Sequence, residues 1–153
     1  MKWSCFPFAE LPPKLLYDAM VLRQKVFVME QQCLFRDADG HDVFSHHLFG
    51  YDNNDVLAAY ARLVPAGVVY QQASIGRVVT ADTHRKIGLG KCLFEQALNH
   101  AFLLWGEGVP LKIQAQFYLH NFYSSFGFVA TGEPYLEDDI LHINMIKNKI
   151  NIY

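Results

Sequence analysis

The sequence predicts an α/β (α+β) fold in which helices flank a mixed sheet, and three observations lead there. A β-branched run, Ile75-Gly76-Arg77-Val78-Val79-Thr80, precedes a Gly-containing basic loop. An apolar stripe with helical spacing then follows at Leu93, Phe94, Ala97, Leu98, Ala101 and Leu104. Strand-like and helix-like stretches succeed one another in the order β-α-β-β-β-α-β-α-β-β. Apolar residues make up 52% of the chain and charged residues 18%, enough for a full core and too little charge for disorder. At 153 residues, without repeats, low-complexity tracts or Pro/Ser linkers, the expected unit is one domain over 1–153.

Taken in order, Trp3 to Phe8 forms a first strand, and Leu11-Pro12-Pro13 punctuates, since proline suits a helix's first turn. Leu15, Ala19, Leu22, Val26 and Met29 carry a helix over Lys14 to Glu30. From Gln31 to Phe44 the periodicity dissolves into an acidic loop, Asp37-Ala38-Asp39-Gly40-His41-Asp42. Its glycine arrives two positions early for a calcium-binding EF-hand, which leaves a solvated turn with Asx-type hydrogen bonds. His46 to Tyr51 and Val56 to Val64 form a hairpin, with Asn53 and Asn54 suited to positive φ at its tip. On its second strand Leu57, Ala59, Ala61 and Leu63 share one face, Tyr60 and Arg62 the other. After the central helix come a strand over Leu111 to Gln116 and a short helix from about Leu119 to Phe126, ended by Gly127. Phe128 to Thr131 and Ile140 to Lys147 are the last strands, separated by the acidic stretch Glu133 to Asp139.

Composition narrows the function. A net charge of -2, from 15 acids and 13 bases, supplies no global field for nucleic acid. Cys5, Cys33 and Cys92 are odd in number and widely spaced, which argues against disulfides and zinc. None of the seven histidines has ligand spacing, so no metal is expected. Neither a secretory h-region nor a run of ~20 apolar residues occurs, and a cytoplasmic protein away from membranes is the expectation.

The chemistry concentrates at Arg85-Lys86-Ile87-Gly88-Leu89-Gly90-Lys91. A helix N-terminus offers unpaired N–H groups and the positive end of the macrodipole. Gly88 and Gly90 let the backbone bend and approach a ligand, while Arg85, Lys86 and Lys91 add full charges. Such a loop suits a pyrophosphate. A P-loop would need Gly at position 85 and Ser or Thr at 92, where Arg85 and Cys92 stand, and the dinucleotide pattern lacks its third glycine at Leu93.

What fits is R-x-x-G-x-G, with Y-x-x-x-G-F downstream at Tyr123 to Phe128, in the register of the GNAT acetyltransferases, which the chain resembles from first strand to last. Val26 to Cys33, Asp37 to Gly40, Ile75 to Val78, Gln114 to Gln116 and Asn121 to Tyr123 resemble its ElaA-type subfamily. The resemblance implies a mixed, mostly antiparallel sheet with splayed central strands. It also implies direct acetyl transfer from acetyl-CoA to an amine, without a covalent enzyme intermediate. The main chain of Val78, Val79 and Thr80 would pair with the pantetheine amides, and a main-chain N–H near Val78 or Val79 would face the thioester oxygen. Arg85, Lys86, Ile87, Gly88, Leu89, Gly90 and Lys91 would wrap the pyrophosphate. Tyr123 stands at the general-acid position. Gln116 replaces a frequent coenzyme-contacting Asn, with Asn121 as a possible substitute.

A general base is not specified by any motif. Glu30, His46, His47, Glu137 and His142 are candidates, and Glu30, closing the first helix, ranks first. Loops Gln31 to Phe44 and Thr131 to Asp139 are both acidic, so a cationic amine, small or on a peptide, is the expected acceptor, bound to a monomer or homodimer. The alternative is a CoA-binding sensor or interaction module without turnover.

Overall fold

In a computed structural model that describes residues 1–148, one twisted sheet runs in the order β1-β2-β3-β4-β5-β8-β6, with β7 also paired to β8. The strands are β1 Lys2–Pro7, β2 His46–Tyr51, β3 Leu57–Val64, β4 Ala73–Thr80, β5 Leu111–Gln116, β6 Val129–Ala130, β7 Tyr135–Glu137 and β8 Ile140–Lys147. All pairings are antiparallel except β4 with β5. The helices are α1 Pro13–Arg23, α2 Leu89–Trp105 and α3 His120–Ser124. The predicted single domain runs to Tyr153, and its last five residues lie outside the described part. Among the described residues no helix is long and apolar enough to cross a membrane.

Strand β3 is buried along its whole length because both sheet faces are covered. Ala59, Ala61 and Leu63 meet α2 through Leu93, Phe94 and Ala97, whereas Tyr60 meets α1 through Ala19 and Leu22 and the segment that continues it through Val26. Leu57 departs from the predicted alternation and joins Tyr60. A register shift at Gly50/Tyr51 inserts one residue, and one residue flips a side chain to the opposite face. At the hairpin tip the positive φ falls on Asp55 rather than on either asparagine, because Asp52 Oδ1 accepts from the N–H groups of Asn54 and Val56. Leu104, predicted in the α2 stripe, is at its edge and 39% exposed.

Two elements escape the sequence pattern. Helix α1 stops being α-helical at Arg23 and continues as π-helix over Gln24–Glu30, closed by Gln31 N–H donating to Val26 O at 3.0 Å. The wider turn carries Met29, a predicted core position, out to solvent. Strand β7 occupies part of the predicted acidic connection. Its two-residue turn to β8 is Asp138-Asp139, both at positive φ, the geometry of a type I′ turn.

The acidic loop is not the solvated turn that the sequence suggests. Arg23, fully buried on α1, donates through Nε to Asp37 (2.8 Å) and through Nη1 to Asp42 (2.7 Å). Arg62 on β3 donates to Asp39 and Asp42, and Arg77 on β4 donates to Asp37 and Asp39. Three guanidiniums thus neutralise three carboxylates. Burial raises the pKa of Asp39 and Asp42, but their arginine partners outweigh it and hold both below the ordinary carboxylate range. Beside them His47 bonds Tyr60 Oη and Asp42 O, and burial lowers its pKa.

These shifts share one sign. A depressed His47 gives stability that is complete above the unfolded value of ~6.5 and is lost as pH falls below it. Depressed Asp39 and Asp42 give stability present above ~3.9 and lost as pH falls through their folded values. The urea midpoint should therefore be flat above pH ~7, decline below ~6.5 and drop steeply below ~4. A midpoint constant from pH 7 to 4 would contradict this account.

Candidate active site

The site begins where the sheet opens. β4 pairs with β5 only at Ala73↔Leu111 and Ser74↔Lys112, so from Ile75 onward the facing main chain of the two strands is unpaired. A bulge in β4 starts the divergence: Gly76 faces Arg62 and Val79 faces Tyr60, leaving Arg77 and Val78 opposite Ala61 alone. Arg77 sits at φ 49°, a strained value for a side-chain-bearing residue. Its guanidinium, fixed by Asp37 and Asp39, holds the bulge in place.

The helix end below the opening is free of protein partners. Gly88, at φ 77°, caps α2 without a side-chain hydrogen bond, and the first intrahelical bond runs from Cys92 N–H to Gly88 O at 3.2 Å. The N–H groups of Leu89, Gly90 and Lys91 thus precede the helical ladder. A Cβ placed on Gly90 would meet nothing within 4 Å. Packing within the chain therefore does not demand glycine there, although glycine costs about 1 kcal/mol relative to alanine in a helix. The open space and bare backbone suit a bound anion.

Helix α3 delivers Tyr123, and the Y-x-x-x-G-F pattern explains how. Phe128 N–H donates to Tyr123 O and Gly127 N–H to Ser124 O, the two bonds of a Schellman cap, with Gly127 at φ 85°. The Tyr123 and Phe128 rings, 6.5 Å apart, supply the accompanying apolar contact, and Phe94 lies edge-on to Tyr123 at 5.0 Å. The Tyr123 hydroxyl has no protein partner among the described residues, and burial pushes its pKa up, which keeps the phenol protonated.

Two clefts meet between the splayed strands. One, of about 330 Å³, is lined by Val78, Val79, Thr80, Arg85 and Gly90 together with Phe122. The other, of about 370 Å³, is lined by Gln114, Gln116, Glu137, Asp138 and His142, with Phe35. Phe27, Gln31, Val78 and Tyr123 border both. Gln116 Nε2 donates to Gln31 Oε1 at 3.1 Å across the floor between them.

The predicted site residues divide accordingly. Val78, Val79, Thr80, Arg85 and Gly90 converge on the first cleft. Lys86, Ile87, Gly88 and Lys91 are exposed around the start of α2, while the Leu89 side chain is buried in the core and anchors the helix end. Gln116 lines the second cleft. Asn121 is exposed, lines neither cleft, and its side chain bonds His120. Glu30 lines the first cleft, not the second, and its carboxylate is gripped by both Nη atoms of Arg85 at 2.5 and 3.0 Å. That hydrogen bond holds the Glu30 pKa below its ordinary value and raises that of Arg85, an arrangement unsuited to proton abstraction.

Of the other base candidates, His47 has both ring nitrogens engaged and His46 lines neither cleft. Glu137 accepts from Gln114 Nε2. Gln31, where the loop expected near the acceptor begins, borders both clefts directly after the π-turn. Among the described residues no group of His, Cys, Asp and Glu is gathered to hold a metal ion.

The profile of the acetyltransferase (GNAT) domain matches residues 28–149. The chain is 39% identical to a UPF0039 protein of Synechocystis over 146 residues, 95% of this chain and 94% of that one. It is 36% identical to the protein ElaA of Escherichia coli over 152 residues, 98% of each chain. The crystal structure of Escherichia coli ElaA superposes with a TM-score of 0.89 over 96% of this chain and 99% of that one. An acyl-CoA N-acyltransferase from Pseudomonas aeruginosa does so with a TM-score of 0.90 at 42% identity, again over 96% and 99%. With an open, mostly antiparallel sheet, a helix start without a side-chain cap and these relatives, the chain belongs to the GNAT acetyltransferase family, in its ElaA-like group.

Proposed function

We propose that the chain, acting as one domain, transfers the acetyl group of acetyl-CoA directly to an amine held in the same ternary complex. The observation that carries this reading is the meeting of the two clefts at Val78 and Tyr123, between strand edges whose main chain is unpaired. Acetyl-CoA enters by the first cleft. Its pyrophosphate lies on the N–H groups at the start of α2, beside Arg85, Lys86 and Lys91, and its pantetheine amides pair with the free edge at Val78 to Thr80. The thioester then reaches the junction, where a main-chain N–H of the β4 bulge stabilises the oxyanion. The amine arrives by the second cleft, and holding both reactants together lowers the barrier further. Tyr123, kept neutral by burial, protonates the departing thiolate.

The acceptor's charge is read from the carboxylates left over. Asp37 and Asp39, expected to draw in a cation, are already neutralised by Arg23, Arg62 and Arg77. Glu137 and Asp138 line the cleft without an ion-pair partner among the described residues, and they favour an ammonium group there.

Calorimetric titration tests the coenzyme assignment. Acetyl-CoA and CoA should bind, ATP should not, and Gly88→Glu should weaken both CoA ligands at least about tenfold, or 1.4 kcal/mol. Gly88→Asn, which tolerates a left-handed backbone without adding charge, controls for strain and should bind nearly as wild type. Binding indifferent to Gly88→Glu would refute the cradle. Binding without amine-dependent CoA release would leave a CoA-binding module.

A further inference from the structure

We infer that His142 is the general base that takes a proton from the acceptor ammonium, an assignment that rests on the acyl-transfer reading above. Of the seven histidines, His142 is the one that lines either cleft. It stands on β8 directly across from Gln116 on β5 and lines the acceptor cleft together with Tyr123 and Val78.

Its tautomer is set by its own strand. His142 Nδ1 lies 2.8 Å from the carbonyl oxygen of Ile140. A carbonyl can only accept, so in the neutral ring Nδ1 carries the hydrogen and Nε2 holds the lone pair. Nε2 has no hydrogen-bond partner among the described residues, and it is not among the sealed, unpartnered polar atoms, which are His46 Nδ1 and Arg62 Nε. The ring is braced by stacking on Tyr135, with centroids 6.2 Å apart and planes 25° from parallel. A positioned ring that lines the cleft, with one nitrogen anchored and the other unpartnered and not sealed from solvent, is the arrangement a general base needs. The Tyr135 ring of β7 stacks on it, and the charged and titratable groups lining the same cleft include Glu137 of β7, Asp138 at the turn, Arg36 and Asp39 of the acidic loop, Arg77 of β4 and Tyr123 of α3.

The proton count closes. The ammonium gives one proton to Nε2, and the free amine attacks the thioester carbon, forming the C–N bond. The C–S bond breaks, and sulfur leaves with a proton from the Tyr123 hydroxyl. The amide nitrogen sheds its surplus proton, which restores Tyr123, and the first proton passes from His142 to solvent.

The test compares two acceptors of similar size on wild type and His142→Gln, following CoA release. Benzylamine is an ammonium at neutral pH and needs a base, whereas phenylhydrazine is uncharged and does not. The variant should lose about 10²–10³-fold in kcat with benzylamine. With phenylhydrazine it should stay within a few-fold of wild type, and its calorimetric affinity for CoA should be unchanged. Equal losses with both acceptors would make His142 structural, and no loss with benzylamine would exclude it as the base. Wild-type enzyme that binds acetyl-CoA yet turns over neither amine would instead overturn the transferase reading, and the base with it.

Discussion

Tyr123→Phe is expected to lower kcat for acetyl transfer about 10²–10³-fold, the range lost with a general acid, while leaving acetyl-CoA affinity intact. The reasoning is local. The hydroxyl makes no hydrogen bond to the protein among the described residues, so its removal breaks nothing in the fold. The ring keeps its edge-on contacts with Phe94 and Phe122 at 5.0 and 5.1 Å. Thermal unfolding should therefore move by little, and the effect should sit in kcat rather than in KM for acetyl-CoA, as for an interaction made only in the transition state. Stopped-flow measurement of CoA release, with calorimetry for binding, separates the two. A variant with wild-type kcat would remove Tyr123 from the mechanism. One with normal kcat and weak binding would make it a coenzyme contact.

The second large effect concerns the fold. Arg23→Met is expected to cost about 3–5 kcal/mol, because it leaves buried carboxylates short of a partner. For a chain of this length that corresponds to a fall in Tm of roughly 6–20 °C. Arg23 supplies the Nε bond to Asp37 and both Nη bonds around Asp42, and no water reaches it to compensate. Asp37 keeps Arg77 and Asp42 keeps Arg62, so the loop is weakened rather than abolished. The double variant Arg23→Met/Asp42→Asn should lose less than the sum of the single losses, with a coupling of about 1–3 kcal/mol. Urea denaturation of the three variants checks this. Additive losses, or a single loss below about 1 kcal/mol, the exposed-pair range, would show the network to be energetically incidental.

Much of this site was legible in the chain because its signals are short and local. The R-x-x-G-x-G loop marks an uncapped helix start, and Tyr123, Gly127 and Phe128 are three positions of one helix cap, so spacing encodes geometry directly. The limits of β2, β5 and β8 coincide with the strand-like runs of the sequence, and β3 differs only in starting at Leu57 instead of Val56. What was hidden depends on partners far along the chain. Arg23 reads as an ordinary polar position on a helix, and only the fold brings it to Asp37 and Asp42, 14 and 19 residues away. The π-turn leaves no propensity signature, so the helical spacing places Met29 inside although it is exposed. β7 lacks the Asn-Gly signal of a tight hairpin, because Asp138 and Asp139 take the positive φ angles instead. Nothing local in the sequence ties Glu30 to Arg85, 55 residues on, which holds its carboxylate.

The π-turn also says something about how this chain can vary. A segment wound with more residues per turn stores a surplus residue, the trace a single insertion into an α-helix would leave. Each residue of an α-helix turns the chain by about 100°, so losing that surplus would swing Gln31 roughly a quarter of the way around the axis and off Gln116. The same loss would move Glu30 relative to Arg85. Length in this stretch is thus under tighter constraint than side-chain identity. Exposed Met29 is free to change its chemistry but not to disappear.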